Sequence, residues 1–230
     1  QNDGTIKRET QFPTNIDQYI LSGPHFYVGN PFNKTPRRVC AQNSHYDTLD
    51  LTILPADYLA RTNYLPACDL QEYRERTPKV PWIEDGKWGA KQEYHQPVTS
   101  YYRLAFRGMI GAAAERTLIP SIIPWNTAHI NAVQSTAFFT INSLLKTAAF
   151  SNSLVADFFI KTTGRTNLCA TWKTFPVLEQ NDSLTLRLLR LICLTEHYAD
   201  LWNEVYPKLT VSDSLITSLL GSHNSHLPET

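Results

Sequence analysis

The sequence lacks an excess of charge of either sign, since its 230 residues include 21 lysines and arginines against 21 aspartates and glutamates. A net charge of zero argues against histone-like and polybasic proteins, which hold nucleic acid through bulk positive charge. The sequence also lacks any run of about 18 consecutive apolar residues, the length that a membrane helix requires. Because 42% of the residues are hydrophobic and 18% are charged, we expect a folded globular chain with no membrane partner.

Glycine and cysteine are few, and neither forms a motif. The nine glycines are dispersed, with no G-x-G-x-x-G or Walker sequence, which argues against an ATP or dinucleotide site. No serine occupies a G-x-S-x-G elbow, so a serine-hydrolase triad is unsupported. The four cysteines are far apart in the sequence, which predicts reduced thiols, a cytoplasmic location and no metal site: Cys40, Cys68, Cys169 and Cys193.

The chain divides into three segments by composition. Residues 1–100 are rich in proline and tyrosine and are expected to form loops and short extended pieces. Residues 101–206 are expected to form a strand and helix core, and residues 207–230 a tail that frays after about Gly221. The first residues include neither an initiator methionine nor a signal peptide, so we expect a fragment of a longer polypeptide that shares its function with missing sequence.

Periodicity predicts an α+β fold, with a mixed sheet, helices packed against it and a long C-terminal helix. Alternating or continuously apolar residues predict strands at 101–107, 117–123 and 129–140, and Asp-Gly predicts a hairpin at 83–88. Spacings of three and four predict helices at 70–76, 141–150, 153–162 and 183–205. Ser151 or Ser153 is expected to cap the third helix, and Gly164 to end it.

The zero net charge hides a segregation of charge. Residues 103–175 contain seven basic residues against two acidic ones, an excess of five positive charges that the rest of the chain balances. A second basic cluster, without acids, spans residues 34–38. This distribution indicates a basic face for an anionic partner, although chance clustering on a solvated surface is the alternative.

Two short motifs suggest chemistry. Asp85-Gly86-Lys87, with Asp57 or Asp69 upstream, resembles a nuclease half-site in which carboxylates hold Mg²⁺ and lysine positions water. Gly29-Asn30-Pro31-Phe32 is similar to the N-P-P-[YF] loop of amino-methyltransferases, but it lacks the second proline. We interpret it as a structural turn and predict no catalytic residue outside the nuclease alternative.

Several phrases in fixed order resemble one family. They occupy residues 24–37, 50–68, 102–107, 115–124 and 142–177. Together they are similar to the C-terminal target-recognition region of large adenine-specific DNA methyltransferases of bacterial restriction-modification and phage-defence systems, namely fused type II (type IIG) enzymes and the DISARM and BREX methylases. The last phrase also resembles the target-recognition domains of type I specificity subunits.

The resemblance implies that catalysis and DNA recognition belong to different parts of a parent protein. A catalytic portion would bind S-adenosylmethionine and methylate adenine N6, while this chain would recognise the sequence of double-stranded DNA. Other defence subunits are further expected partners. The alternative functions are a Mg²⁺-dependent nuclease and a protein-interaction module.

The predicted DNA contacts are basic or amide side chains, because these suit phosphates, guanine and adenine. Alternation in the strand at 101–107 predicts that Arg103 and Arg107 share one face with Ala105. These two arginines have a structural alternative, bracing the strand, and Arg116 is equally consistent with a buried ion pair. The predicted set is Lys34, Arg37, Arg38, Arg103, Arg107, Lys161, Arg165 and Asn167.

Overall fold

The computed structural model describes residues 3–83, 95–179 and 181–210, which form an α+β structure of nine short strands and five helices. The predicted class is confirmed. The strands are β1 (Ile6–Gln11), β2 (Ile20–Leu21), β3 (Lys34–Pro36), β4 (Tyr46–Thr48), β5 (Thr62–Pro66), β6 (Arg103–Arg107), β7 (Pro120–Ile123), β8 (Ala128–His129) and β9 (Val133–Ala137). The helices are α1 (Leu70–Arg76), α2 (Ile141–Ser151), α3 (Leu154–Thr162), α4 (Asp182–Ile192) and α5 (Ala199–Val205).

The strands form four small sheets, so the single mixed sheet predicted from periodicity is wrong for the described residues. β7, β6 and β9 make one antiparallel sheet, while β1–β5, β3–β4 and the parallel pair β2–β8 are separate. Prolines limit their lengths: β3 ends at Pro36, β5 ends at Pro66 and β7 begins at Pro120. Proline has no N–H to donate to a ladder, so extended segments stop at these points.

The central strand β6 places alternate side chains on opposite faces of its sheet. Leu104 and Phe106 belong to the main hydrophobic core, and Phe106 stacks on Trp172 at a ring-centroid distance of 5.3 Å. Arg103 and Arg107 share the other face, since Arg103 pairs with Ala137 and Arg107 with Val133 of β9. The predicted strand and the common face of its two arginines are therefore confirmed.

Helices α2 and α3 follow β9 almost as predicted. Ser153 caps α3 by accepting a hydrogen bond from the backbone N–H of Ala156, so the alternative cap, Ser151, is wrong. Ser151 lies inside α2. Gly164 follows α3 with a φ of +64°, the left-handed conformation predicted there.

The prediction of one long C-terminal helix is wrong, because the structure has two helices in its place. α4 ends at Ile192, and α5 begins at Ala199 after a turn. The break is held by tertiary contacts: the N–H of Glu196 donates to the carbonyl of Ala56 at 2.8 Å, and the hydroxyl of Tyr198 donates to the carbonyl of Ile122 at 2.7 Å. These bonds lock the turn against the rest of the chain, although the apolar pattern continues through it.

The N-terminal segment contributes to the same core as the rest. β2 pairs with β8, and Tyr19 and Phe32 pack in one cluster with Ile122 and Leu189. The turn at residues 27–30 closes by reciprocal backbone hydrogen bonds between Tyr27 and Asn30, as expected for a structural turn.

Three predictions concern residues that are not described. The hairpin at 83–88 lies outside the described residues except for Ile83, as do Asp85 and Lys87 of the nuclease motif and the tail after residue 210. Within the described ranges, no helix combines the length and apolar character needed to cross a membrane.

Candidate nucleic-acid interface

The site is a shallow groove where the N-terminal segment meets one end of β6. We call it the basic groove; it has a volume of about 110 Å³. Enclosed ligand sites usually measure between roughly 300 and 1,000 Å³. The basic groove therefore suits a phosphate or a base edge approached from outside. Its lining is Arg8, Ser22, Gly23, Pro24, Cys40, Ala41, Gln42, Asn43, Tyr46, Asn63, Tyr64, Arg107, Met109, Ile130 and Ala132.

Two arginines provide the charge of the basic groove. Arg107 ends β6 and is half-buried, with the backbone of Gly23 beside its side chain. Arg8 lies exposed on β1, and its Nη2 donates to the carbonyl oxygens of Cys40 and Ala41 at 3.2 and 3.3 Å. No carboxylate lines the groove among the described residues. Two cations attract an anion where no carboxylate of the described residues lies beside them.

Amide side chains lie beside these arginines. Gln42 and Asn43 are exposed on the loop that follows Cys40. Gln42 Nε2 lies 3.0 Å from His45 Nε2, which orients the amide. Amides can pair with the major-groove edge of adenine, so the groove combines groups for phosphate with groups for bases.

The floor beneath these amides is a buried polar network. Asn63 Nδ2 donates to the hydroxyl of Tyr46 at 2.8 Å, and that hydroxyl lies 2.7 Å from Ser22 Oγ. Ser22 Oγ in turn lies 3.0 Å from His25 Nδ1. Burial raises the pKa of Tyr46 to about 12, so its hydroxyl remains protonated at neutral pH. The network is uncharged and holds the groove floor in one arrangement.

The loop at residues 164–168 is bound to the segment that follows Arg107. Ile110 N–H donates to the carbonyl of Thr166 at 3.0 Å, and Leu168 N–H donates to the carbonyl of Gly108 at 2.9 Å. Met109 and Asn167 form the bridge between these segments. Because Met109 also lines the basic groove, the structure joins two predicted sites, Arg107 and the 164–168 loop.

The predicted residues of this loop differ in their bonding. Arg165 is exposed and forms no ion pair within the described part of the chain. Lys161 Nζ donates to the carbonyl of Ala114 at 3.1 Å, so this lysine also holds the loop at 111–114. Asn167 Oδ1 accepts from the N–H of Cys169 at 3.1 Å, which leaves its amide nitrogen to face a partner.

The basic cluster at residues 34–38 lies on and after β3, outside the groove lining. Lys34 is half-buried, whereas Arg37 and Arg38 are exposed. Arg37 pairs with Asp47, with both Nε and Nη2 at 2.9 Å from Oδ1. Arg38 forms no ion pair among the described residues and precedes the Cys40–Asn43 wall of the groove by two positions.

The prediction that Arg103 contacts DNA requires a correction. Its side chain is only 2% exposed, and its guanidinium donates to the carbonyl of Thr127 and to Ser135 Oγ. Its guanidinium therefore lies too deep to meet a DNA duplex, and we remove Arg103 from the predicted DNA contacts. Burial of this face by the N-terminal segment is the physical reason.

Arg116 is also internal. Its Nε lies 3.5 Å from Asp157 Oδ1, and both side chains are largely buried. Arg116 therefore forms the buried ion pair that the sequence analysis gave as its alternative role. The basic excess of residues 103–175 is therefore partly internal, carried by Arg103 and Arg116.

Sequence reasoning missed Arg8, Gln42 and Asn43. Arg8 belongs to a strand of mostly polar residues, and the Gln42-Asn43 pair follows closely on the basic cluster at 34–38. This adjacency of amides and cations in the sequence could have indicated Gln42 and Asn43 as site residues. Arg8 had no such signal, because the pairing of β1 with β5 positions it.

Comparison with known proteins adds no family, because no protein-family model, curated protein or solved structure matches this chain. Within the described ranges, no group of three or more histidine, cysteine, aspartate or glutamate residues is arranged to hold a metal ion.

Proposed function

We propose that this chain is the sequence-specific DNA recognition domain of an adenine-N6 DNA methyltransferase in a cytoplasmic restriction-modification or phage-defence system, with the fold of a type I specificity-subunit target-recognition domain. The observation that supports it best is the basic groove, in which Arg8 and Arg107 lie beside exposed amides without a carboxylate. The family resemblance supports the methyltransferase assignment. The parent's catalytic portion would bind S-adenosylmethionine, since this chain has no glycine-rich nucleotide loop.

The exposed groups divide into two roles. Arg38 and Arg165 are exposed and without ion pairs among the described residues, so they suit phosphates and set the orientation of the duplex. Arg107, Gln42 and Asn43 line the groove and suit base edges. Binding by this chain alone is expected to be weak, because reach around the duplex and base flipping require the catalytic portion.

Fluorescence anisotropy with a labelled duplex at low salt tests the proposal. Arg8→Glu should weaken binding and reduce the salt slope by about one, and Arg107→Glu should weaken binding and relax the preference for one sequence. Lys7→Glu is the matched control, because Lys7 precedes Arg8 on the same strand, outside the groove lining, and is exposed. Equal effects of Lys7→Glu and Arg8→Glu, or no duplex binding by the chain and its parent, would overturn the proposal.

Charge reversal of Lys161 and Arg165 tests the 164–168 loop. The double variant should lower both affinity and salt slope, since it removes two cations from this part of the surface. An unchanged slope would remove these residues from the interface. Circular dichroism should verify that the double variant is folded, because Lys161 also donates a hydrogen bond to Ala114.

The second candidate function is a protein-interaction module, and α3 is the observation that favours it. Leu154, Val155 and Phe158 are 72%, 68% and 67% exposed. Single exposed apolar residues are ordinary, but a cluster on one helix is typical of a contact surface. A pure interaction module would bind no duplex at low salt. Val155→Lys with Phe158→Lys would instead release the catalytic portion in a co-expression pull-down.

A further inference from the structure

A second concavity opens beside the basic groove on the same face of the β6 sheet. We call it the Arg103 cavity; its volume is about 920 Å³. Tyr64 and Ile130 line both concavities, so the two are neighbours. This volume lies in the range of sites that enclose a small organic molecule, roughly 300 to 1,000 Å³.

Arg103 contributes a buried positive charge to this cavity. Its side chain is 2% exposed and lines the cavity from β6. Its Nη2 donates to the carbonyl of Thr127, its Nη1 donates to Ser135 Oγ at 3.2 Å, and its Nε has no partner. A guanidinium has five N–H donors, so three of them remain available to a ligand.

Arg103 lacks a counter-ion in the part of the chain that the structure describes. Within the described residues it forms no ion pair, and burial lowers its pKa to about 10, which still leaves it protonated at neutral pH. A buried charge without a counter-ion is unfavourable. Proteins usually pair such a group or keep it for a ligand.

The polar groups next to Arg103 are neutral. His129 Nδ1 lies 3.0 Å from the carbonyl of Ile130, so Nδ1 carries the proton and Nε2 accepts from Ser135 Oγ at 2.7 Å. Ser135 Oγ thereby accepts from Arg103 and donates to His129. Burial and the charge of Arg103 lower the pKa of His129 to about 4, so the imidazole adds no charge at neutral pH.

The walls of the cavity are partly apolar and aromatic. Ile6, Tyr64, Tyr73 and Ala137 line it together with Arg103. At the rim, Arg76 donates to the carbonyl of Asp3 and to Thr5 Oγ1 at 2.8 and 3.0 Å. The carboxylate of Asp3 also lies at this rim and accepts from Thr5 N–H at 3.0 Å. The cavity therefore has a cationic floor, apolar sides and a polar entrance.

We propose that the Arg103 cavity binds an organic oxyanion, in which a carboxylate or phosphate group meets the guanidinium and a partly apolar body packs against the tyrosines. A planar or tetrahedral oxyanion can accept two N–H groups from one guanidinium. It also supplies the missing counter-charge. The proposal does not depend on DNA recognition, because it uses none of the exposed cations of the basic groove.

Isothermal titration calorimetry of the 230-residue chain tests this proposal with four probes. Adenosine 5′-monophosphate and benzoate carry the two oxyanions on apolar bodies, while adenosine and benzamide are their uncharged counterparts. We expect at least one anion to bind, and its neutral counterpart to bind at least about tenfold more weakly. Preference between the two anions distinguishes phosphate from carboxylate.

Two variants locate the binding. Arg103→Met keeps the length of the side chain and removes the charge, and Ala137→Trp fills the cavity while leaving Arg103 in place. Each should lower the affinity for the anion at least about tenfold, whereas Lys173→Met, at an exposed position that lines neither concavity, should leave it unchanged. If neither anion binds, or if Ala137→Trp and Arg103→Met bind as the wild type does, the proposal is overturned.

Discussion

Asp157 is the buried carboxylate on which the 111–118 segment depends. It is 5% exposed, and its Oδ1 accepts the backbone N–H groups of Thr117 and Leu118 at 2.8 and 2.7 Å. Arg116 lies against the same oxygen. Removing this carboxylate leaves two buried N–H groups without their acceptor and the Arg116 guanidinium without its ion-pair partner.

Asp157→Ala should therefore lower the free energy of unfolding by about 3–5 kcal/mol. Urea unfolding followed by circular dichroism measures the change. Glu179→Ala, at an exposed position, is the control and should change it by less than about 0.5 kcal/mol. Equal midpoints for the two variants would show that Asp157 does not hold this segment.

His25 couples the fold to pH. It is fully buried; its Nε2 donates to the carbonyl of Arg61 at 2.8 Å, and its Nδ1 accepts from the N–H of Ser22 at 3.0 Å. Protonation would place an N–H at Nδ1 against another N–H. Burial lowers the pKa of His25 to about 4, as it does for His129.

Stability should consequently fall as the pH is lowered from 6.5 to 4. In that window the unfolded chain binds protons at His25 and His129 that the folded chain does not, at a cost of up to about 3 kcal/mol per histidine. Chemical denaturation at a series of pH values measures this slope. His25→Asn should remove about half of it, and a slope identical to that of the wild type would contradict the assignment.

At the scale of elements, the turn at residues 27–30 connects the N-terminal segment to α4. Gly29 has a φ of +77°, and its N–H donates to the carbonyl of Pro120 at 2.8 Å. A Cβ at this position would lie 2.4 Å from Leu191. Gly164 has a similar φ of +64° but nothing within 4 Å of such a Cβ.

Gly29→Ala and Gly164→Ala therefore form a matched pair. Both should carry the backbone cost of a left-handed alanine, about 1 kcal/mol, and Gly29→Ala should cost about 1–3 kcal/mol more because of overpacking against Leu191. Thermal unfolding compares the two variants. Equal losses would mean that the Leu191 side chain moves away without cost.

Elements with local signals could be predicted from the sequence, and those defined by tertiary contacts could not. Asp69 caps α1 by accepting from Glu72 N–H, and α1 spans the predicted residues. The break between α4 and α5 has no such signal, because it depends on hydrogen bonds to Ala56 and Ile122. Apolar spacing alone therefore predicted one helix where the molecule has two.

At the scale of the whole molecule, tertiary packing determines which of the predicted site residues are exposed. Strand alternation placed Arg103 and Arg107 on one face, but the covering of that face by the N-terminal segment could not be predicted. That covering buries Arg103 at the Arg103 cavity and leaves Arg107 at the basic groove. The same packing brings Arg8 to Arg107, across a sequence separation that composition and periodicity do not resolve.

Sequence-specific recognition of duplex DNA is the central claim, and selection from a random duplex library tests it most directly. The chain, or its parent where the chain alone binds too weakly, should enrich one short sequence motif at low salt. Arg107→Glu should reduce that enrichment, while Lys7→Glu should retain it. Recovery of a random pool by the wild type and its parent, or the same motif at the same enrichment with Arg107→Glu, would contradict the assignment of the basic groove as the reader of DNA sequence.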